Sequence, residues 1–583
     1  MTITLKPMPV FIQSPTTANR TRAAFALVES LIREGVTHIF GIPGGSTLPL
    51  YDALYDYPQV KHLLARHEQI AAHAASGFAR ASGRPGVCLA TSGPGATNLV
   101  TGLADAMMDS TPVVAITGQV TTAWLGKDGF QEADITGVSL VVTKHNWLVT
   151  NENEIPETIH HAFFVARTGR PGPVLVDLPR DVFQREMDYD PQAALPPLRY
   201  RLALRAEPTM LARAAEAIAN SKRPILYVGG GAIASEAWRE VHQLAEKTRA
   251  PVTTTLMGKG AFPETHPQSL GMLGMHGTAY ANYAMHESDL IVAIGARFDD
   301  RVTGKLSAFA PHARVIHIDV DAAEINKNRK ADFPLVGDAK NVLTDLMPLV
   351  SVPDTQAWWR QIDEWRARYP LRYRQGDRLI LPQFAIDRIY QMTQGMRPIV
   401  TTDVGQHQIW AAQFFKCAEP RTFITSGGLG TMGYGLPAAL GVQCACPERL
   451  VLSISGDGSF QMTLQTLITA VEEKLPIKVF IINNHHLGMV RQWQELFYQQ
   501  RYKGVALANP DFARVAEAFG AIGLRASQPD ELEAVYRRAL AVTDRPVVVD
   551  VHCDPSENCF PMIPSGMTIH DMVIEDPRYA NVK

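Results

Sequence analysis

Cysteine is scarce in this chain. The six present (Cys88, Cys417, Cys444, Cys446, Cys553 and Cys559) are spread over 583 residues, too thinly for a disulfide framework. Cys444 and Cys446 stand too close together for an ordinary zinc pair, so reduced thiols of a cytoplasmic protein are expected. Long apolar runs are missing too: none approaches the ~20 residues of a membrane span. The first twenty residues lack an apolar core followed by a cleavage site, which excludes a secretory signal; they read as an N-terminal arm. The absence of a transit-like extension favours a bacterial cytoplasmic protein. Excess charge is absent as well, and a net charge of −3 argues against a nucleic-acid binder. What remains, 46% hydrophobic and 19% charged residues, is the composition of a soluble globular protein. At this length several cores are needed, three to four domains.

Three modules are expected. Residues 21–188 alternate helical stretches with short apolar strands near His38–Phe40, Val87–Ala90, Val113–Ile116 and Val174–Asp177, the doubly wound α/β pattern. Residues 189–206, rich in proline, read as a linker. Residues 207–348 repeat the alternation, with strands near Ile225–Val228, Val252–Thr255, Leu290–Ile294 and Val315–Ile318. Gly229-Gly230-Gly231 follows the first of these, a dinucleotide signal that gains weight from Asp319 at the end of a later strand. Residues 349–379 read as a second linker, 380–555 as the third module and 556–583 as a C-terminal tail. The first and third modules share one alternation, as if two similar folds had been paired. The fold class is thus α/β, with three doubly wound parallel-sheet domains.

The third module carries the sharpest signal. Leu450–Ser455 is an apolar run ending in Gly456-Asp457-Gly458-Ser459, and Ile477–Ile482 is another ending in Asn483-Asn484. Phe460–Glu473 between them reads as a helix. A right-handed crossover places Asp457 and Asn484 at the carboxyl ends of two parallel strands, where open α/β sheets bind ligands. A carboxylate and an amide oxygen there can share Mg²⁺, whose shell is completed by phosphate oxygens and water. Gly456 and Gly458 allow backbone to approach the phosphates. Each piece alone is a common turn sequence; their pairing across one crossover points to the cation.

These residues resemble thiamine diphosphate enzymes and, among them, the catalytic large subunits of acetohydroxyacid (acetolactate) synthases. The resemblance runs from about Thr21 to Thr568. It includes Gly41–Gly45, Arg66–Gln69, Thr91–Asn98, Phe130–Glu132, Gly295–Arg301, Val404–His407, Leu487–Val490, Gln492-Trp493 and Pro561–Gly566. It implies pyrimidine-binding, central FAD-binding and diphosphate-binding domains in that order, with thiamine diphosphate, Mg²⁺ and a structural FAD. It also implies decarboxylation of pyruvate and condensation with a second pyruvate or with 2-ketobutyrate, at the start of branched-chain amino-acid synthesis.

On the positions that match, the resemblance assigns roles. Glu68 holds the pyrimidine nitrogen and sets its tautomer. Gly45, Phe130 and Gln131 line the cofactor, and Met432, near Gly430, wedges it into a bent shape. Asp457, Asn484 and the main-chain oxygen of His486 hold the metal. Gln406, His407, Gly456, Gly458 and Ser459 surround the diphosphate, together with Leu487, Gly488, Met489 and Val490. Arg301 and Trp493 face the second 2-ketoacid: the guanidinium suits a carboxylate, and the Trp flank suits the extra methylene of 2-ketobutyrate. FAD contacts fall on Arg170, Gly229, Gly230, Gly231, Thr255 and Leu256. Further ones fall on Met275, His276, Gly295, Arg297, Asp299 and Val302, and also on Ile318, Asp319 and Asp338. Acetolactate synthases that lack FAD are not expected to carry the Arg297-Phe298-Asp299-Asp300-Arg301 run.

Two positions depart from the family pattern. Arg180 stands where Lys is usual, keeping the charge but not the donor geometry, and Thr121 stands where Pro is usual. The family's active site lies between two subunits, so a homodimer or tetramer is implied, and a regulatory small subunit. Pyruvate oxidase, glyoxylate carboligase and a non-catalytic flavoprotein are the alternatives; Glu68 argues against the second, and intact Glu68, Asp457 and Asn484 against the third.

Overall fold

The computed structural model describes residues 19–193, 202 and 204–576. The N-terminal arm through residue 18, half of the first linker and the last seven residues lie outside the described residues. Three six-stranded, all-parallel sheets follow one another along the chain. Their central strands are apolar and buried on both faces, as parallel strands flanked by helices must be; Val113–Gln119, Val451–Gly456 and Lys478–Asn483 have no exposed position.

The first and third sheets share one strand order. Numbering the strands of each sheet along the chain, both run 2-1-3-4-6-5. In the first sheet that is Lys61–Leu64, His38–Gly41, Gly86–Ala90, Val113–Gln119, Val174–Pro179, His145–Leu148. In the third it is Phe423–Ile424, Ile399–Thr402, Val451–Gly456, Lys478–Asn483, Val547–His552, Ile522–Ala526. The middle sheet runs 3-2-1-4-5-6, the order of dinucleotide-binding folds. In each sheet the order reverses beside strand 1, the point at which open α/β sheets place their ligand crevice.

Several expected segments are built differently. The helix expected over 460–473 starts earlier and is broken, as Asp457–Thr463 and Thr466–Glu472. Asn19–Arg22 pairs antiparallel with Glu186–Tyr189, so the first unit takes in the last residues assigned to the arm and the first assigned to the linker. Residues 349–379 are not merely a linker. Gln356–Arg368 is a helix whose Trp358 and Ile362 enter the core beside Ile225, Ala284 and Ile291, and Trp358 Nε1 donates to Pro224 O at 3.2 Å. Of the tail expected over 556–583, the described part, 556–576, is packed: Cys559 and Met562 are fully buried. This segment ties the middle unit to the third. Ile563 N donates to Met275 O at 2.8 Å, Lys305 N to Met567 O at 2.9 Å, and Gln492 Nε2 to Cys559 O at 3.1 Å.

The first and third units share a core through helices Glu68–Ser82 and Gly435–Ala445. The helices touch backbone to backbone. A Cβ at Gly441 would lie 1.8 Å from Ala74 O, and one at Gly77 would lie 2.2 Å from Ala438 O. Only glycine permits that approach, which holds Glu68 at the start of a rigidly packed helix.

Candidate active site

In the third unit the reversal lies between Ile399–Thr402 and Val451–Gly456. Loops after these strands and after Lys478–Asn483 meet around a cleft of about 440 Å³. Three segments far apart in sequence line it: Val404–His407, Gly456–Ser459, and Asn484 with His486–Val490; Trp410, Met432 and Ile482 complete it. The adjacent parallel strands place Asp457 and Asn484 at matching carboxyl ends, Gly456 being paired with Ile482. Among the expected diphosphate and metal positions, only Gly430 does not line the cleft.

Asp457 is 2% exposed. Burial raises its carboxyl above the usual range, and the amide of Asn509, donating to Oδ2 at 2.7 Å, pulls it back. Asn484 is held by its own amide nitrogen, which donates to Gln406 Oε1 at 3.3 Å. Gln406 Nε2 in turn donates to Gln492 Oε1 at 2.9 Å and to Glu557 O at 3.1 Å. The network turns Asn484 Nδ2 away and leaves Oδ1 as the acceptor; the His486 amide reaches it at 3.2 Å. Asp403, buried and pushed up to about 6 by that burial, accepts from the amides of Val404 (2.9 Å), Gly433 (2.8 Å) and Gly435 (3.2 Å). That carboxylate pins the loop carrying Met432.

The residues present fit a metal-bound diphosphate. His407 Nε2 and Trp410 Nε1 are buried and have no hydrogen-bond partner among the described residues. Burial holds the His407 ring down at about 3, so it is a neutral imidazole. The glycines leave no room for a side chain: a Cβ at Gly456 would lie 2.7 Å from His407 Nδ1, and one at Gly488 would lie 2.0 Å from Gln406 Oε1. A carboxylate plus an amide oxygen is the hard-donor set that Mg²⁺ takes alongside phosphate.

Glu68 stands elsewhere. It opens helix Glu68–Ser82, capped by His67, whose Nδ1 accepts from Gln69 N at 3.1 Å. Its side chain is largely buried, and Asn98 Nδ2 donates to its Oε2 at 2.9 Å. Oε1 faces Gly95, at 3.4 Å from where a Cβ would stand. Glu68 does not line the third unit's cleft. Gly45, Gln131 and Arg180 are exposed on the first unit, and Phe130 is 89% exposed. Arg301 is exposed, its carbonyl accepting from Met275 N at 2.7 Å. Trp493 is half-buried against Phe497 at 5.4 Å. None of these six enters the cleft within one chain.

The middle unit has its own order reversal, between Pro224–Val228 and Leu290–Ile294. Gly229–Gly231 and Gly295 follow these strands. A Cβ at Gly229 would lie 2.1 Å from Gly295 O, and one at Gly231 would lie 2.7 Å from Gly295 Cα. Gly295, at φ +58°, is in the left-handed region that favours glycine. Thr254 Oγ1, at the carboxyl end of the neighbouring strand, is buried without a partner among the described residues. The bare backbone and the orphaned hydroxyl fit a dinucleotide such as FAD. Asp319 ends the strand Arg314–Asp319 and is pushed up to about 6 by burial. Thr255, Asp299 and Asp338 cap short helical turns. Arg170 reaches Glu324 at 2.7 Å, and His276 is held down at about 4 by burial.

The sequence reading did not single out Asn98, Asp403, Gln492 or Asn509 for a site role. Asp403 follows an apolar strand and could have been found from that position. Asn509 has no local signal; only the fold brings it to Asp457.

Comparison with known proteins agrees with this geometry. Residues 21–138 match the N-terminal TPP binding domain of thiamine pyrophosphate enzymes, 211–346 the central domain and 403–551 the C-terminal TPP binding domain. The chain is 50% identical to the acetolactate synthase large subunit of Mycobacterium tuberculosis over 557 residues, 93% of this chain and 90% of that protein. It is 48% identical to the acetolactate synthase large subunits of Cyanidium caldarium, over 94% of this chain and 96% of that one, and of Corynebacterium glutamicum, over 95% and 90%.

Proposed function

Because the chain belongs to the acetolactate synthase large subunits of the thiamine pyrophosphate enzyme family, we propose how its residues divide the work of that activity. The enzyme is a decarboxylating carboligase: one pyruvate loses CO₂, and its remaining two carbons join a second pyruvate or 2-ketobutyrate, giving 2-acetolactate or 2-aceto-2-hydroxybutyrate. When bound, thiamine diphosphate supplies the carbon nucleophile and electron sink, Mg²⁺ neutralises its diphosphate, and FAD is structural.

Asp457 Oδ and Asn484 Oδ1 take the Mg²⁺, with the carbonyl of His486 as a third donor. Gln406, His407 and the amides of Gly458–Ser459 and Gly488–Val490 receive the diphosphate. Met432 orients the organic part. Glu68 hydrogen-bonds the pyrimidine nitrogen and exchanges a proton there through Oε1, its Oε2 being fixed by Asn98. Trp493 and Arg301 select and orient the second 2-ketoacid.

The observation that carries this reading is the convergence of three strand-end segments on one cleft that Glu68 does not reach. The missing wall comes from a second copy of the chain. Phe130, Leu140 and Val141 of the first unit are 89%, 67% and 81% exposed, large apolar groups of the kind that a partner covers. A regulatory small subunit is the further partner.

Complementation tests the assignment. Glu68→Gln and Asp457→Ala proteins, each inactive, are unfolded, mixed in equal amounts and refolded with cofactors. If each site draws Glu68 from one subunit and Asp457 from the other, half of the dimers are mixed and each has one intact site of two, so about a quarter of wild-type acetolactate formation returns. No recovery from a mixture that reassociates rejects the shared site. Absence of acetolactate from the fully loaded wild-type protein rejects the residue assignments as a whole.

A further inference from the structure

Outside the catalytic cleft, His242, Glu246 and His266 of the middle unit bring their ligand atoms within 4.8 Å of one another. We propose that these three side chains form a second, surface metal site for a divalent transition ion of the zinc type, distinct from the Mg²⁺ position.

The geometry arises from two elements. His242 and Glu246 lie one turn apart on helix Trp238–Thr248, so they share a face. His242 Nδ1 and Glu246 Oε2 are 3.4 Å apart. Two ligands ~2.1 Å from one tetrahedral ion stand about that far from each other. His266 comes from the loop before strand Ser269–Met272. The loop is fastened from both sides. Gln268 Nε2 donates to Ala245 O and Ala250 O at 2.8 Å, around the end of the helix that carries the other two ligands. Arg366, from helix Gln356–Arg368, donates to Pro267 O at 3.0 Å and Ser269 O at 2.7 Å. Phe262 packs against both imidazoles, its ring 5.5 Å from His242 and 5.0 Å from His266, while the two imidazoles are themselves 5.4 Å apart. It limits their rotation. Placement by neighbours is what separates a built site from three surface residues that happen to be close.

The donor set selects the ion. Two imidazoles and one carboxylate suit zinc, nickel or copper, whereas Mg²⁺ prefers oxygen donors throughout. Nδ1 of His266 faces the Gln268 amide at 3.2 Å, which leaves Nε2 for the ion. Ligation there moves the ring proton to Nδ1, and that weak contact is given up. Three protein ligands leave a fourth position to water, on the open side beside the exposed Glu246.

The test uses the full-length protein loaded with FAD, thiamine diphosphate and excess Mg²⁺, so that the catalytic cleft is filled. Zn²⁺ alone is titrated by calorimetry against wild type and the His242→Ala, His266→Ala and Glu246→Gln variants. Wild type should bind one Zn²⁺ per chain, each histidine variant should bind at least ~100-fold more weakly, and acetolactate formation should be unchanged in all three. Equal Zn²⁺ binding by wild type and the histidine variants overturns the proposal. Crystals of the wild-type holoenzyme soaked in Zn²⁺ give a reading independent of any variant's folding. An anomalous peak between the three side chains is expected; its absence, or a peak with no solution binding, overturns the site.

Discussion

Asn509 Nδ2 donates to Asp457 Oδ2 at 2.7 Å and to Asn483 Oδ1 at 2.9 Å, linking two strand-end loops from a third loop more than twenty residues further on. The carboxylate proposed to take the metal is thereby held in place by its neighbours. Partners that orient a ligand are worth roughly 10–100-fold in metal affinity. Asn509→Ala should therefore raise the Mg²⁺ concentration needed for half-maximal activity by about that factor, with kcat at saturating Mg²⁺ nearly retained. A Mg²⁺ titration of chelator-treated enzyme measures it, and an unshifted curve removes Asn509 from the metal site.

Glu68→Gln keeps the shape of the side chain and its contact with Asn98 but cannot carry the proton. Loss of a positioned acid–base group costs about 10²–10⁴-fold in rate. That loss should appear in kcat, with thiamine diphosphate affinity little changed. Asn98→Ala, which frees Oε2, should show a smaller drop in kcat. Steady-state rates with a cofactor titration separate the two, and full activity in Glu68→Gln contradicts the proton-exchange role.

Gly488→Ala puts a methyl 2.0 Å from Gln406 Oε1 and 2.9 Å from Asn484 Nδ2. Relief requires the Asn484–Gln406 link to break. Overpacking of this kind costs about 1–3 kcal/mol, and here it falls on the cofactor-binding loops. The variant should lose thiamine diphosphate on gel filtration while its circular dichroism stays that of wild type. Retention of cofactor at wild-type levels would show that the link is dispensable.

Acid should unfold the protein through its buried histidines. Burial pushes His62 and His276 down to about 4 and His73 to about 3. Each is neutral in the fold but titrates near 6.5 once unfolded. For these groups the unfolded chain binds more protons between pH 6.5 and about 4, so their share of stability falls as pH drops through that window, by up to about 4 kcal/mol per pH unit for the three. Buried Asp403 and Asp319, raised to about 6, take up protons in the fold over the same window and oppose that loss. His73, packed on Tyr434 between the first and third units, is one of the three histidines. Measured at pH 7, 6 and 5, the urea midpoint of wild type should lose ground against that of His73→Gln as pH falls; a pH-independent difference refutes the assignment.

Trp493→Leu should lower the preference for 2-ketobutyrate over pyruvate. One methylene in an apolar site is worth about 1–3 kcal/mol, so a tenfold shift in the product ratio is a fair expectation. Competition between the two acids, with product analysis, reads it directly.

Much of the architecture was legible locally. Many inner strands of the three sheets are apolar runs closed by Gly, Pro, Asp or Asn. The pairing of Asp457 with Asn484 followed from two such endings joined by one helical crossover. Edge strands were harder. Lys61–Leu64 and His145–Leu148 are half-exposed and carry polar residues, so they lack the apolar signature. Helix Gln356–Arg368 was read as a linker because charged and polar residues crowd its exposed face, and only Trp358 and Ile362 are buried.

The candidate site residues of the third and middle units and their order along the chain are legible in the sequence, because a strand-end Asp-Gly or Asn-Asn and a glycine triplet are local features. The orientation of those groups is not. That Asn484 turns its oxygen to the cleft, that Asn509 braces Asp457, and that residues 557–567 bind the middle unit to the third depend on atoms far apart in sequence meeting within hydrogen-bond distance. Such meetings are decided by how close backbones can pack, as at Gly441 against Ala74, and no local pattern encodes them.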